Sequence, residues 1–528
     1  MSKSYAVLAA LLLLLPSPAL ADTLIDNIAG LSLDRTGQVT RFSAMVIDAH
    51  GRIAQVLARG ERPARTDFRE DGRGRVVMAG FVDAHVRLMA LGLAQLTLDL
   101  SDTRTLAEAQ EKLRAYAAAN PDRPWIVGRG WDAARWGLAR SPTASELDAA
   151  VADRPVWLES ADGSAGWANG AALSAAGVTA RTPDPAGGRI ERLSAGRAPA
   201  GVLIGTAADL VTAKIPPARA ADLDVALMKA QDLLVRQGVT AVADMGTDLA
   251  AWMTYRRAGD EGRLRLRIVA YADGVPDMLT IGGSAPTPWL YDDRLRLAGL
   301  ALRLDGSLAS GSAWVKSPYP TPSTGHGLPR LNGTQLRNLM SRAAMDDFQI
   351  AVEGHGDAAV AESLSAIDEL SPDYRGDRRW RIEGAEVIDP ADLPRLAEHV
   401  AIVSLQVAWP APAPWTGIAG ARWALGSGAP SAPASPFARA AVALEHGLDS
   451  SKALAAATSG AAYAAFADGR FGELKAGERA DFVMLDGDPL TADAAGMRAI
   501  RVMQTWIGGQ KVYDAAPGTL RAADAPGR

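Results

Sequence analysis

The 528-residue sequence contains no cysteine and only six histidines. The absence of cysteine excludes disulfide bonds, cysteine-ligated zinc sites and iron–sulfur clusters. A strong excess of one charge is also lacking, because 55 lysines and arginines stand against 60 aspartates and glutamates, which gives a formal net charge of −5. Since no basic stripe is available to contact phosphates, we do not expect a nucleic-acid partner.

Long hydrophobic runs are lacking except at the N-terminus. There, Lys3 precedes the apolar run Ala6–Leu15, and Ala19-Leu20-Ala21 forms a small-residue cleavage site. The run is too short to span a bilayer core of about 30 Å as a helix. We therefore predict a cleavable signal peptide over residues 1–21, cut after Ala21, and no membrane span in the mature chain. The mature protein would be periplasmic or secreted, where a chain without thiols cannot mispair.

Both ends of the mature chain have the alternating pattern of short β-strands. Ala44–Asp48 and Ile53–Leu57 flank a turn that contains glycine, which is typical of a hairpin. Ala480–Leu485 and Val502–Ile507 show a similar pattern near the C-terminus. The sequence therefore predicts a small β-sandwich domain built from residues 22–76 and 470–516, with a disordered tail over residues 517–528.

The central region, residues 77–469, alternates β-branched runs with alanine-rich helical segments, such as Leu223–Gln237, Leu336–Asp346 and Asp392–His399. Eight such runs with helices between them predict an α/β fold, a (β/α)8 TIM barrel whose chemistry lies at the C-terminal ends of the strands. The predicted strands are Val76–Val82, Val239–Ala243, Leu266–Ala270, Leu300–Leu304, Gln349–Val352, Trp380–Glu383, Ala401–Gln406 and Trp423–Gly426.

Two features distort this predicted barrel. Residues 93 to about 200 do not follow the alternation, and they indicate an insertion after strand one. The tryptophans of this insertion either pack within it or form an aromatic wall over an apolar ligand. Residues 410–422, between strands seven and eight, are proline-rich and too few for a full crossover, so the seventh crossover helix is predicted to be missing or vestigial.

A series of motifs runs through the chain in a fixed order: Gly80-Phe-Val-Asp-Ala-His85-Val-Arg87, Trp125-Ile-Val-Gly-Arg-Gly-Trp131, Asp305-Gly306, Gly356-Asp357, Arg381-Ile-Glu383 and Gly426-Ser427. The series resembles the amidohydrolase superfamily and, within it, the amidohydrolase family 3 type. The resemblance implies a metal-dependent hydrolase of carbon–nitrogen bonds other than peptide bonds. In such enzymes a metal-bound water attacks the substrate, and an aspartate at the end of strand eight takes its proton.

The residues expected to bind the metal are largely replaced. Strand one of the family ends His-x-His, but here the pair is His85 and Arg87, and a guanidinium cannot bind a metal ion. The catalytic aspartate is replaced by Gly428. Other positions where the family has a lysine or a histidine are occupied by Ala301, Glu353, Gly384, Trp409 and Ser164.

We therefore favour a pseudoenzyme, an exported protein that keeps the fold and binds a small-molecule ligand or a partner at the barrel mouth. No catalytic residue is assigned and no metal or other cofactor is favoured. Arg87 is expected to pair with Glu353 and fill the former metal cavity, because its fixed positive charge would repel a cation. The candidate pocket residues are Asp83, Arg87, Asp305, His326 and Trp409.

The alternative is an active hydrolase of amide, N-acyl or formamide bonds with a rebuilt mononuclear metal site. His85, Glu353 and His355 supply two imidazoles and one carboxylate, which can bind one zinc, iron or manganese ion. Glu353 and His355 are two positions apart on an extended segment, so their side chains point the same way.

Overall fold

The computed structural model describes residues 22–63, 66–161, 163–185, 188–308, 311–319, 325–399, 401–406 and 422–515. Within these ranges no helix is both long and apolar enough to cross a membrane. The predicted signal peptide, the predicted tail over residues 517–528, Trp409 and the short crossover over residues 410–422, apart from Arg422, lie outside the described residues.

Eight parallel strands form the barrel, and each pairs with the next one along the chain. A bridge between Val86 and Ala429 brings the end of strand eight beside strand one. The predicted α/β class and distorted TIM barrel are thereby confirmed. In order, barrel strands one to eight are Phe81–Val86, Val239–Thr247, Arg267–Asp273, Leu295–Arg303, Gln349–Gly354, Arg381–Gly384, Ile402–Gln406 and Arg422–Gly426.

Helices surround the barrel, and their apolar faces pack against the strands. Gly333–Met345 illustrates the local cause: Asn332 and Gln335 form a capping box at its start, and its buried residues recur at helical spacing. The helices of this region are Leu88–Ala94, Ala220–Arg236, Leu249–Asp260, Val275–Gly282, Gly333–Met345, Asp357–Leu370, Leu393–Glu398, Pro436–Glu445, Ser450–Ala456 and Ser459–Ala464, with a 3-10 turn at Pro390–Asp392.

A β-sandwich built from both chain ends adjoins the barrel, and residues such as Ile25, Met45 and Trp506 form its core. The predicted N-terminal hairpin is present, and the two predicted C-terminal strands pair antiparallel with each other. One sheet has the order Ile53–Leu57, Ala44–Ile47, Thr23–Asp26, Phe68–Asp71. The other has the order Gln510–Asp514, Val502–Ile507, Phe482–Leu485, Val76–Ala79, Ala29–Leu33, Val39–Phe42, and the helix Ala494–Ala499 connects two of its strands.

The single strand predicted over Val76–Val82 is divided in the structure. Val76–Ala79 pairs with Phe482–Leu485 in the sandwich, whereas Phe81–Val86 begins the barrel. The division falls at Gly80, where an added Cβ would lie 2.2 Å from Thr240 Cγ2. The sandwich therefore continues to Ala79 rather than ending at residue 76, because the chain passes between two sheets without a turn that the sequence would mark.

The insertion after strand one forms a third sheet and continues past the predicted end near residue 200. Its tryptophans Trp131, Trp136, Trp157 and Trp167 are buried within it, so they pack the insertion rather than line an open wall. The sheet order is Gly188–Arg192, Pro199–Gly205, Ala165–Ala168, Val156–Ser160, Ile126–Trp131, Leu98–Asp99. The accompanying helices are Leu106–Ala119, Ala144–Asp148, Gly170–Ala175 and Asp209–Thr212, with a 3-10 turn at Thr206–Ala208.

Candidate functional site

The barrel mouth, meaning the C-terminal ends of the eight strands and the loops that follow them, holds an ion pair between strands one and five. Arg87 Nη2 donates to Glu353 Oε2 at 2.7 Å. The two side chains are 27% and 18% exposed, so the pair is largely buried but can still be reached from solvent. The pairing expected from the sequence is therefore present, and it places a permanent cation beside Glu353 and His355.

His355 extends this pair into a row of four charged groups. Its Nε2 lies 3.3 Å from Glu353 Oε1, and its Nδ1 lies 2.8 Å from Glu386 Oε2. Burial alone would lower the pKa of His355, but the hydrogen bonds to Glu353 and Glu386 outweigh it and raise that pKa well above its usual value. The imidazole is therefore protonated at neutral pH and donates to both carboxylates.

The charge of Glu353 is stabilised from several sides. Burial alone would raise the pKa of Glu353, but its hydrogen bond with His355 and the charges of His85, Arg87 and His355 hold that pKa well below its usual value. The row Arg87–Glu353–His355–Glu386, which we call the mouth network, therefore contains two cations and two anions.

A second set of polar groups runs down the barrel axis beneath the mouth network. His85 Nδ1 lies 3.0 Å from Glu383 Oε2, and Arg381 Nε donates to Glu383 Oε1 at 2.6 Å. Arg381 Nη1 donates to the hydroxyl of Tyr271 at 2.9 Å, which in turn donates to Gln349 Oε1 at 2.6 Å. These five side chains, which we call the axial chain, are all buried.

The axial chain fixes the orientation of His85. Burial alone would raise the pKa of Glu383, but the charge of Arg381 and the hydrogen bond with His85 outweigh it and lower that pKa. Because an ionised carboxylate only accepts hydrogen bonds, the proton between the two groups lies on His85 Nδ1. Sequence reasoning did not find this chain, since the residues come from strands one, three, five and six.

Neighbouring side chains lie against two glycines that stand where the family has functional residues. Gly384 has φ +87°, and an added Cβ would lie 2.8 Å from His355 Nδ1. Gly428 has φ +65°, and an added Cβ would lie 2.7 Å from Gln406 Oε1. The side chains of His355 and Gln406 therefore occupy the space beside the two vacant positions. Neither Gln406 nor Glu386 could be found from the sequence, because spacing along the chain does not show which way their side chains point.

The candidate pocket residues Asp83 and Asp305 bind backbone groups. Asp305 accepts hydrogen bonds from the backbone N–H of His355, Gly356 and Trp314 at 2.9, 3.0 and 2.9 Å. Burial nevertheless raises the pKa of Asp305. These bonds hold the loops after strands four and five together.

Asp83 likewise binds backbone groups and holds the end of strand one against the loop after strand eight. Its Oδ1 accepts from the backbone N–H of Ser427 at 2.7 Å and of His85 at 3.2 Å, and its Oδ2 lies 3.5 Å from the buried Arg439 Nη1. His326 is exposed, and its Nδ1 lies 3.2 Å from the carbonyl oxygen of Val315. The structure therefore brings Arg87, Glu353 and His355 together, but not His326.

The side chains at the mouth fit a bound metal ion poorly. Glu353 is already bonded to a guanidinium, and a protonated His355 has no free lone pair for a metal. In the part of the chain that the structure describes, no group of three or more histidines and acidic residues is arranged to hold a metal ion.

Comparisons with known proteins agree with the barrel architecture. A sequence model described as the amidohydrolase family matches residues 70–513. The protein LONG AFTER FAR-RED 3 of Arabidopsis thaliana is 28% identical, over 94% of this chain and 92% of its own. An N-substituted formamide deformylase of Arthrobacter pascens is 27% identical, over 89% of this chain and 94% of its own. The crystal structure of an uncharacterised metal-dependent hydrolase from Pyrococcus horikoshii shares the fold, with a TM-score of 0.74 at 22% identity, over 90% of this chain and 99% of its own.

Proposed function

The chain belongs to the amidohydrolase family, and from this we propose that it is an exported member that has lost the hydrolytic centre and binds a small molecule at the barrel mouth. The observation that carries the proposal is the ion pair between Arg87 and Glu353 at 2.7 Å. A fixed guanidinium charge at this place disfavours a divalent cation by direct repulsion.

The position of the catalytic base supports the same conclusion. Gly428 has no side chain that could accept a proton, and Gln406, which lies beside it, carries an amide that is not a base at any physiological pH. Water activation in this family requires both a metal and a base, so their joint replacement removes the reaction rather than slowing one step.

The mouth network also supports the binding of a polar ligand. Arg87 is 27% exposed and has further N–H groups beside the one that binds Glu353, so it can donate to a ligand carboxylate or carbonyl oxygen. Loops at this end of a barrel are the usual place for binding sites. We therefore propose a small polar molecule that carries at least one anionic or carbonyl oxygen.

Metal analysis tests the loss of the hydrolytic centre. Elemental analysis of the purified mature protein is expected to find much less than one equivalent of zinc, manganese or iron per chain. Addition of each metal is expected to produce no turnover of N-formyl or N-acyl amine substrates. One tightly bound equivalent that survives dialysis would contradict the proposal.

A rebuilt hydrolase is the second candidate, and a specific observation favours it. His85 and His355 each have a carboxylate at Nδ1, Glu383 and Glu386 respectively, which is how metal-binding histidines are usually oriented. The similarity to an N-substituted formamide deformylase points the same way. This candidate predicts metal-stimulated turnover that Glu353→Ala abolishes and that Glu369→Ala, an exposed carboxylate far from the mouth, leaves intact.

Export is proposed from the sequence of residues 1–21. If the full chain is expressed in a bacterium with a periplasm, the extracted periplasmic protein is expected to begin at Asp22, as N-terminal sequencing or intact mass would show. Ala21→Arg removes the small residue before the cleavage point and is expected to leave the leader attached. An unprocessed wild-type chain in the cytoplasm would contradict this part of the proposal.

A further inference from the structure

A cavity of about 300 Å³ lies at the N-terminal end of the barrel, opposite the mouth. Arg296 reaches it from the start of strand four, Arg375 and Arg378 from the segment before strand six, and Phe348 and Phe466 complete an apolar side. The cavity is separate from the mouth network, and Gln349, the last member of the axial chain, is among its lining residues.

The charges around this cavity do not cancel. Two aspartates also line it, but Asp347 accepts from Arg378 Nη1 at 2.7 Å, and Asp377 accepts from Arg379 Nε at 2.9 Å. Both carboxylates are therefore already paired. Arg379 also pairs with Asp468, so these four arginines and three aspartates leave one net positive charge, and Arg296 and Arg375 are the two arginines without a carboxylate partner.

Arg296 and Arg375 are held by neutral groups only. Arg296 Nε donates to the carbonyl oxygen of Thr287 at 3.2 Å, and Arg375 Nε donates to that of Pro372 at 3.0 Å. Among the described residues, neither guanidinium has a carboxylate within 4.0 Å. Burial lowers the pKa of Arg296, as expected for a cation that has lost water without gaining a counterion.

Arg378 adds a further unused donor. Its Nε is buried and has no hydrogen-bond partner within the described part of the chain. That atom is enclosed by protein, so a ligand in the cavity would interact with the charge of Arg378 rather than with this donor. A phosphate or carboxylate matches the forked geometry of a guanidinium better than any other common ligand group.

We propose that this cavity binds a small molecule bearing an oxyanion, either a phosphate or a carboxylate. The volume lies at the small end of the range for ligand sites. The rings of Phe348 and Phe466 provide a surface for an apolar portion of the ligand.

Calorimetric titration of the mature protein with inorganic phosphate and, separately, with benzoate tests the proposal at constant ionic strength. At least one of the two is expected to bind saturably with one site per chain. Arg296→Gln and Arg375→Gln are each expected to weaken that binding about tenfold or more, because each removes a charge-assisted donor. Arg375 is exposed, so its variant is expected to fold even if the Arg296 variant does not.

Arg303→Gln is the matched control, since Arg303 lies on the same strand at the other end, where it pairs with Asp273. Its variant is expected to bind like the wild type. Binding of phosphate alone or of benzoate alone would support the proposal and show whether the cavity prefers a phosphate or a carboxylate. Absence of saturable binding by both, or an equal loss in Arg303→Gln, would overturn it.

Discussion

Arg87 determines the chemistry of the mouth because a guanidinium stays protonated under all physiological conditions. The motif places Arg87 directly after strand one, at a position where a histidine was expected. Glu353 lies near the end of strand five, at the same end of the barrel. That pairing could be predicted from the sequence, because both positions are set by motifs. The third and fourth members of the network could not be predicted together, because the direction of the Glu386 side chain depends on the turn after Gly384.

Removal of the shared carboxylate is the first prediction at this scale. Glu353→Ala is expected to lower the free energy of unfolding by about 2 to 3 kcal/mol, because Arg87 would keep a largely buried charge without a partner and His355 would keep only Glu386. Urea unfolding followed by circular dichroism measures the loss. Glu369→Ala, whose side chain is 63% exposed, is the control, with an expected loss of no more than about 1 kcal/mol. Equal losses in the two variants would argue against a stabilising mouth network.

The dependence of stability on pH is the second prediction. The pKa of His355 is raised in the folded state above its usual value of 6.5, so its contribution is fully present below pH 6.5 and is lost as pH rises through the folded pKa. The difference in unfolding free energy between wild type and His355→Gln is therefore expected to be largest near pH 6.5 and to shrink at alkaline pH.

Glu353 shows that the expected change in stability between neutral and alkaline pH comes from His355 alone. Its pKa is lowered, so its contribution is present above its usual value of 4.5 and is lost only as pH falls through the folded pKa. Between neutral and alkaline pH the Glu353 contribution is thus constant. A His355→Gln difference that grows as pH rises would contradict a protonated His355.

At the scale of elements, the ends of strands six and eight have glycines whose backbone conformations suit few other residues. Gly384 and Gly428 both lie in the left-handed region, at φ +87° and +65°. Sequence alignment by motif locates these glycines, but it does not show that neighbouring side chains lie against them. A larger residue at either position would therefore meet both backbone strain and a neighbouring side chain.

The third prediction concerns Gly384. Gly384→Ala is expected to destabilise the protein by about 2 to 3 kcal/mol, because it combines left-handed strain with a contact of 2.8 Å to His355 Nδ1. Gly283→Ala is the matched control, since Gly283 has φ +69° and no described atom lies within 4 Å of an added Cβ. Its expected loss is about 1 kcal/mol. Chemical denaturation measures the free energy of unfolding of both variants. If the contact with His355 is the cause, the double variant Gly384→Ala with His355→Ala is expected to recover part of the loss.

For the whole molecule, a buried ion pair joins the sandwich to the barrel. Arg267, the first residue of strand three, donates to Asp481 of the sandwich segment at 2.5 Å through Nε and at 2.8 Å through Nη2. Asp481 also accepts from the backbone N–H of Gly508 at 2.7 Å, and both charged side chains are at most 2% exposed. The C-terminal segment of the sandwich is thus tied to the barrel through one carboxylate.

The fourth prediction is that Asp481→Ala destabilises the protein by about 3 to 5 kcal/mol, because Arg267 would remain buried without its counterion. Thermal or urea unfolding measures the loss, and limited proteolysis is expected to show earlier cleavage of the sandwich. Arg501→Ala removes an exposed ion pair with Asp486 and is the control, with little expected change. Similar behaviour of the two variants would show that the buried pair does not hold the sandwich in place.

Local patterns along the sequence determined the eight strands and the N-terminal hairpin, because alternation, turn residues and motifs act over a few neighbouring residues. Only the tertiary structure decided that one apolar run is divided at Gly80, that five side chains from four strands form the axial chain, and that three arginines surround a cavity. Each of these depends on the distance between side chains that are far apart in sequence, and such distances are set by the closure of the barrel rather than by local sequence.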